Sequence, residues 1–234
     1  RNFVFPAAAG VTIGIGMFAT VAYLPTYLQM VERVNATMSG LMMIPMVVGM
    51  LITSIVTGRL ITSTGRYRAY PVVGAAVAAI GLALLSQIGV GTSYGLLALA
   101  MLVLGLGVGG AMQNLTLIVQ NSVPHAVLGA ATSAQNYFRQ IGASLGIAVF
   151  GSIFVTRLTA QVAEGPLGGQ QIGTGGGVSS LTPEVLAGLP APVQSAIADA
   201  FATALPPIYL YAVPIMLAGA VLALFIQARP LSET

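Results

Sequence analysis

Apolar stretches long enough to be read as membrane spans recur along the 234-residue chain, separated by short polar breaks. Six are predicted, over residues 3–29, 39–61, 70–88, 94–119, 128–155 and 207–227. Pro6 and Pro25 sit near the ends of span one, and Pro45 lies inside span two. Membrane helices tolerate such prolines because neighbouring helices satisfy the freed carbonyl. The turn at residues 89–93 is too short for anything but an antiparallel helical hairpin.

Between spans five and six the pattern changes. Residues 159–206 are expected to form an extramembrane loop rich in Gly, Pro, Gln and Ser. A short amphipathic helix closes it, with Val193, Ile197, Phe201 and Leu205 four apart on one face. That helix is expected to lie on the membrane surface and lead into span six. The chain therefore divides into residues 1–158 (spans one to five), 159–206 (loop and short helix) and 207–234 (span six and tail).

Composition agrees. Hydrophobic residues make up 56% of the chain and charged ones 6%, against roughly 25% charged in soluble domains. The mean hydropathy is +0.93. The fold class predicted is an all-α membrane protein, a six-transmembrane-helix bundle. There is no cysteine and one histidine, His125, so thiolate chemistry, Fe–S clusters and a histidine-rich metal site are excluded. No cofactor and no metal site are expected. All eight basic residues are arginines, scattered along the chain, which does not suggest nucleic acid.

The arginines mark topology instead. With six spans both ends share one side, which carries Arg1, Arg59, Arg66, Arg68 and Arg229; the other carries Arg33 and Arg157. Positive charge marks the cytoplasm, so both termini are expected to be cytoplasmic and the Gly-rich loop external. The chain opens at Arg1 without a leader-like segment, and a longer parent is expected.

Two motifs carry more. Gly58-Arg59-Leu60-Ile61-Thr62-Ser63-Thr64-Gly65-Arg66-Tyr67-Arg68 lies between spans two and three. It resembles the cytoplasmic loop motif of the major facilitator superfamily, Gly-x-Leu-x-Asp-x-x-Gly-Arg-x-Arg, with Thr62 where the motif has Asp. Its glycines allow a tight turn, and its arginines suit helix C-termini or acids of a partner half. The second stretch, residues 129–151, opens span five. Its Gly142 and Gly146 form a small-xxx-small pair for helix packing. With Tyr23-Leu-Pro-Thr-Tyr-Leu-Gln29, Ser39-Gly-Leu-Met-Met-Ile-Pro45 and Val119-Gln-Asn-Ser-Val-Pro124, these stretches resemble the last six spans of the fourteen-span drug:proton antiporters of that superfamily.

The resemblance implies a half-transporter built from inverted three-helix repeats, in the plasma (inner) membrane. Its partners would be the lipid bilayer, a missing N-terminal half, a small-molecule substrate and protons. It also implies that spans one and four line the cavity, two and five face the other half, and three and six face lipid. Candidate cavity groups are Thr12, Tyr23, Thr26 and Tyr27 on span one and Gln113 and Asn114 on span four. They are neutral, which suits an apolar or cationic substrate. Arg139, the one charge placed within a span, is expected near its inner edge, where it either snorkels to the inner surface or faces the other half beside Gly142 and Gly146 as a gate contact.

Other patterns are read more plainly. Gly105-Leu-Gly-Val-Gly-Gly110 matches a dinucleotide fingerprint by letter, but no strand precedes it and it lies inside an apolar span, so it is read as helix packing. His125 is read as a solvated loop residue. An intramembrane enzyme would need a metal cluster, a Ser–His or Ser–Lys pair or two facing aspartates; the chain has no lysine and a single aspartate. A channel would need an acidic ring or filter segment, and none is evident.

Overall fold

The computed structural model describes residues 3–65, 67–164 and 183–226. Among them the chain forms α1 (Val4–Val31), α2 (Ala36–Met42), α3 (Ile44–Thr64), α4 (Ala69–Leu85) and α5 (Tyr94–Asn121). A single 3-10 turn (His125–Val127) leads to α6 (Leu128–Glu164), followed by α7 (Pro183–Ala187), α8 (Ala191–Ala204) and α9 (Pro206–Leu224). Among the described residues, five helical runs are long and apolar enough to cross a membrane, counting α2 with α3 and α8 with α9 as single runs. The sixth span, α4, has 17 residues, about 25 Å at 1.5 Å per residue, near the lower limit for a bilayer core. α1 begins and α9 ends at one end of the bundle, called here the near end.

Local signals set the boundaries. Span two is broken: α2 is capped by Asn35, whose Oδ1 accepts from the Met38 N–H at 2.8 Å, and α3 starts afresh with Pro45 in its first turn. α3 stops at Gly65, which takes a left-handed φ of 66°, the helix-ending conformation that glycine adopts without a Cβ penalty. α6 runs to Glu164, so residues 159–164 are helix rather than loop. Their sequence carries no Gly or Pro to stop the helix. Most of the expected Gly-rich loop, residues 165–182, lies outside the described residues.

The short helix α8 forms as expected, but its apolar face does not lie on a membrane surface. Ile197, Phe201 and Leu205 are buried against the bundle, and Phe201 meets Phe154 of α6 edge-on at 5.4 Å. The stripe with a four-residue repeat reads the same from sequence whether lipid or protein covers it.

Packing follows an exchange pattern. α1 packs mainly on α6 and α9, whereas α5 packs mainly on α4 and α3. Advancing each span by three places maps the α1–α6 contact onto α5–α3, and α1–α9 onto α5–α4, while α4–α9 maps onto itself. The bundle is thus two inverted three-helix units whose leading helices each pack on the other unit's later two. At both main contacts glycines bring backbones together. A Cβ on Gly142 or Gly146 of α6 would strike the Val11 or Ile15 carbonyl of α1. A Cβ on Gly105 or Gly109 of α5 would strike the Met46 or Met50 carbonyl of α3. The glycine run of α5 is therefore a packing surface.

The two middle spans leave broad apolar faces open. α3 exposes Val47, Val48, Leu51, Ile52, Ile55 and Val56, and α6 exposes Leu145, Ile147, Val149 and Val155.

Adding a single methyl group tests the packing. Gly146→Ala and Gly109→Ala are each expected to destabilise the folded protein by about 1–3 kcal/mol, the usual range for overpacking. Gly95→Ala, where an added Cβ meets nothing within 4 Å, should leave the melting temperature of the detergent-solubilised protein unchanged.

Candidate functional site: an amide-lined cavity at the near end

A cavity of about 950 Å³ opens at the near end between α3, α5 and the start of α6. Its polar lining comes chiefly from one face of α5. Gln113, Asn114, Gln120 and Asn121 line it together, joined by Thr62 of α3 and by His125. Positions seven apart on a helix return to the same side, so 113/120 and 114/121 form two stacked rows of carboxamides. Gly58 lines the opposite wall, and a Cβ there would meet nothing within 4 Å.

The hydrogen bonds fix part of this wall. The Asn114 side-chain amide donates to the Gly110 carbonyl one turn back. Gln120 Nε2 donates to Thr132 Oγ1 of α6 at 3.3 Å, and Thr132 donates onward to the Leu128 carbonyl at 2.9 Å. Gln113 projects, exposed. No arginine or carboxylate is found among the described lining residues. Such a surface donates and accepts hydrogen bonds without a fixed charge, and its volume falls within the range of small-molecule sites.

The residues expected to line a cavity fall into two groups, one that lines it and one that packs. Gln113 and Asn114 line the cavity with the motif residue Gly58. The span-one group does not join them. Thr12 donates to the Ala9 carbonyl at 2.8 Å and sits against Gly219 of α9. Tyr23 donates to the Ile147 carbonyl of α6 at 2.7 Å and stacks at a tilt on Phe154. Tyr27 is buried, its hydroxyl unpartnered, as is that of Tyr209. Thr26 is half-buried. α1 packs mainly on α6 and α9, and these polar groups of span one sit beside those contacts. Gln120, Asn121, Thr62 and His125 were missed, although the repeat of amides at a spacing of seven along span four was a readable signal.

The arginine-rich turn also resolves. Arg68 Nη2 donates to the Leu224 carbonyl at 2.5 Å, at the C-terminal end of α9, where helix carbonyls lack partners. Arg59 is exposed, Gly65 ends α3, and Arg66 lies outside the described residues. Arg139 is half-buried on the same helix as the small pair. Gly142 and Gly146 pack on α1, and the Arg139 carbonyl itself lies against Gly14 of α1. The side chain rises from the middle of the α1–α6 contact, and its Nε is buried without a hydrogen-bond partner.

Among the described residues, six membrane-type helices form two inverted three-helix units, with a neutral cavity opening at one end. The family model described as Major Facilitator Superfamily matches residues 1–147. The chain belongs to that superfamily. It is 39% identical over 224 residues to an uncharacterized MFS-type transporter of Mycobacterium tuberculosis, covering 94% of this chain and 32% of the relative. It is 36% identical over 157 residues to the multidrug transporter protein MdtP of Bacillus subtilis, covering 67% of this chain and 29% of the relative. A tetracycline resistance determinant of Streptomyces rimosus is 37% identical over 158 residues, covering 68% of this chain and 46% of the relative. Among solved structures, a bacterial homolog of the human lysosomal transporter Spinster, in an inward-facing and occupied conformation, superposes with a TM-score of 0.73 at 13% identity. That match covers 96% of this chain and 48% of the solved one. The chain spans between 29% and 46% of the length of these curated relatives.

Because the chain has no cysteine, the wall is open to mapping. In a cysteine-free background of the full-length protein, Gln113→Cys is expected to react with a small maleimide in membranes. Thr12→Cys, packed against α9, should stay unlabelled until the protein is denatured. Equal labelling of both would show that the cavity does not discriminate these faces.

Proposed function

We propose that this chain is the C-terminal half of a secondary active transporter that exports drugs or other apolar or cationic small molecules, coupled to protons and working by alternating access. The observation that carries the reading is the pairing of a neutral, amide-lined cavity with the open apolar faces of α3 and α6. A second six-helix half laid across those faces would complete the cavity, since substrate sites in this class of fold lie between halves. The relatives named as multidrug and tetracycline resistance proteins support export. The near end is cytoplasmic in this reading, with both termini inside and the segment after α6 external, in the plasma membrane. The chain is not an enzyme in this reading; its function is to bind and move a solute unchanged.

Coupling is assigned to the other half. A proton-coupling carboxylate works inside the membrane, where desolvation favours its protonated form. Here Glu32 follows α1, Glu164 ends α6, Glu184 and Asp199 lie on α7 and α8, and Glu233 lies in the tail outside the described residues. None falls in the interior of a span.

The test is reconstitution. Full-length protein in liposomes carrying an imposed pH gradient is expected to move ethidium against its concentration gradient, while residues 1–234 alone move none. Proton-driven transport by the isolated chain would overturn the half-transporter reading. For orientation, Gly176→Cys should label with an impermeant thiol reagent in intact cells. Labelling only after lysis would place the near end outside.

A further inference from the structure

Arg68 immediately precedes α4 and reaches the end of α9, where its Nη2 donates to the Leu224 carbonyl at 2.5 Å. A guanidinium has five N–H groups, so this one bond leaves donors over on an exposed side chain. Beside it the two helices border a groove of about 330 Å³, lined by Arg68, Ala69, Val72 and Val73 on the α4 side and by Leu224 on the α9 side. Among the described lining residues Arg68 is the sole polar side chain. The groove shares no described lining residue with the amide-lined cavity.

The length of α4 sets the depth of this groove in a bilayer. With 17 residues, about 25 Å, α4 has no turn to spare in crossing an apolar core of about 30 Å. Arg68 therefore lies at headgroup level, with the groove just beneath it. The apolar track continues inward. Ile80 is seven residues beyond Val73 and Leu217 seven before Leu224, on the same sides of their helices, and all four are exposed. Seven residues span about 10 Å. A charged head thus sits above an apolar path that opens sideways, the same order of polarity as in a phospholipid.

A soluble phosphate would leave the apolar walls uncovered, and an apolar solute would leave the remaining guanidinium donors unused. A phospholipid meets both needs, since its phosphate oxygens take paired bonds from arginine and its chain covers the groove. Charge selects among lipids. Among the described residues, the turn beside the groove holds Arg59 and Arg68, whereas Glu32, Glu164 and Asp199 lie toward the opposite end. The ammonium of a zwitterionic headgroup finds no carboxylate among the described residues there, and basic pockets between spans favour acidic headgroups. We propose that the α4–α9 groove is a binding site for an acidic phospholipid, its phosphate on Arg68 and one acyl chain along Val72, Val73 and Leu224. Arg68 then joins a lipid headgroup to the end of α9 and ties the last helix to the bilayer. The site rests on the bundle crossing a membrane and not on which solute is carried.

Native mass spectrometry of the delipidated full-length protein tests this. The probes are dioleoyl phosphatidylglycerol, dioleoyl phosphatidylcholine and glycerophosphoglycerol, which is the first lipid's head without chains. Phosphatidylglycerol is expected to bind about five-fold tighter than phosphatidylcholine, the effect of one arginine on an acidic headgroup. Glycerophosphoglycerol at equal concentration should not displace it. Arg68→Gln should erase the five-fold preference, while Arg59→Gln, which removes a charge from the same turn outside the groove, should keep it. Val73→Trp fills the groove at a side chain that is 58% exposed, and should erase the preference although Arg68 is intact. Equal affinity of the two lipids for the wild type overturns the proposal without need of any variant. So does displacement by glycerophosphoglycerol, which marks a soluble phosphate site. A preference that survives Arg68→Gln, with or without weaker binding of both lipids, leaves Arg68 a purely structural role and overturns it too. Loss of the preference in Arg59→Gln marks a general effect of surface charge, and its survival in Val73→Trp places the lipid elsewhere; either sinks the site.

Discussion

Backbone-to-backbone contact at two glycine pairs is the constraint on which the rest of the bundle depends. In lipid, apolar side chains gain little by leaving their surroundings, so helices associate through close packing and local polar contacts. Gly142 and Gly146 let α6 rest on the Val11 and Ile15 carbonyls, and Gly105 and Gly109 let α5 rest on those of Met46 and Met50. Each contact joins the first helix of one three-helix unit to the middle helix of the other. Because the contacts cross between units, neither unit can shift without disturbing the other.

The same arrangement decides what stays open. α1 and α5 are the most buried of the long helices, and several of their polar groups find partners within the bundle: Tyr23 on the Ile147 carbonyl, Asn114 on that of Gly110. α3 and α6 give one narrow face each to these contacts and present the rest outward. The carboxamide rows of α5 border an opening at the near end, closed on its other sides by the end of α3 and the start of α6. There, Arg68 secures the C-terminal end of α9 through the Leu224 carbonyl, fixing a helix end with a charge that stays at the surface.

Much of this is legible from residues alone. Span number, the antiparallel hairpin at residues 89–93 and the end of α3 at Gly65 follow from length, turn chemistry and the absence of a Cβ. Gln113 and Asn114 are legible too, because consecutive amides in an apolar span are conspicuous. Polarity shows that a group needs a partner but not which helix supplies it: α9 lies against Thr12, and α6 accepts the Tyr23 hydroxyl. Gly142 and Gly146 share a side of α6 with Arg139, and they meet α1. The expected end of α6 falls too early because the change in composition from residue 159 marks the edge of the apolar run, whereas the helix continues as long as nothing stops it.

The repeat also shows which features the fold requires and which it does not. Its two main contacts are built alike, yet their chemistry differs. At the α3–α5 contact the polar groups are hydroxyls that bond within reach: Thr53 donates to the Gly49 carbonyl at 3.1 Å, and Thr57 to that of Thr53 at 2.7 Å. That contact closes without a charge. The α1–α6 contact, with the same glycine spacing, carries Gln135 and Arg139 with two buried polar atoms left without partners. Helix packing therefore does not account for them, since the equivalent contact achieves the same closeness without either. A buried donor and acceptor left open carry a standing cost in stability. That cost falls on one of two otherwise matching contacts, because a glycine pair fixes how closely two helices approach and leaves open which polar groups border the contact.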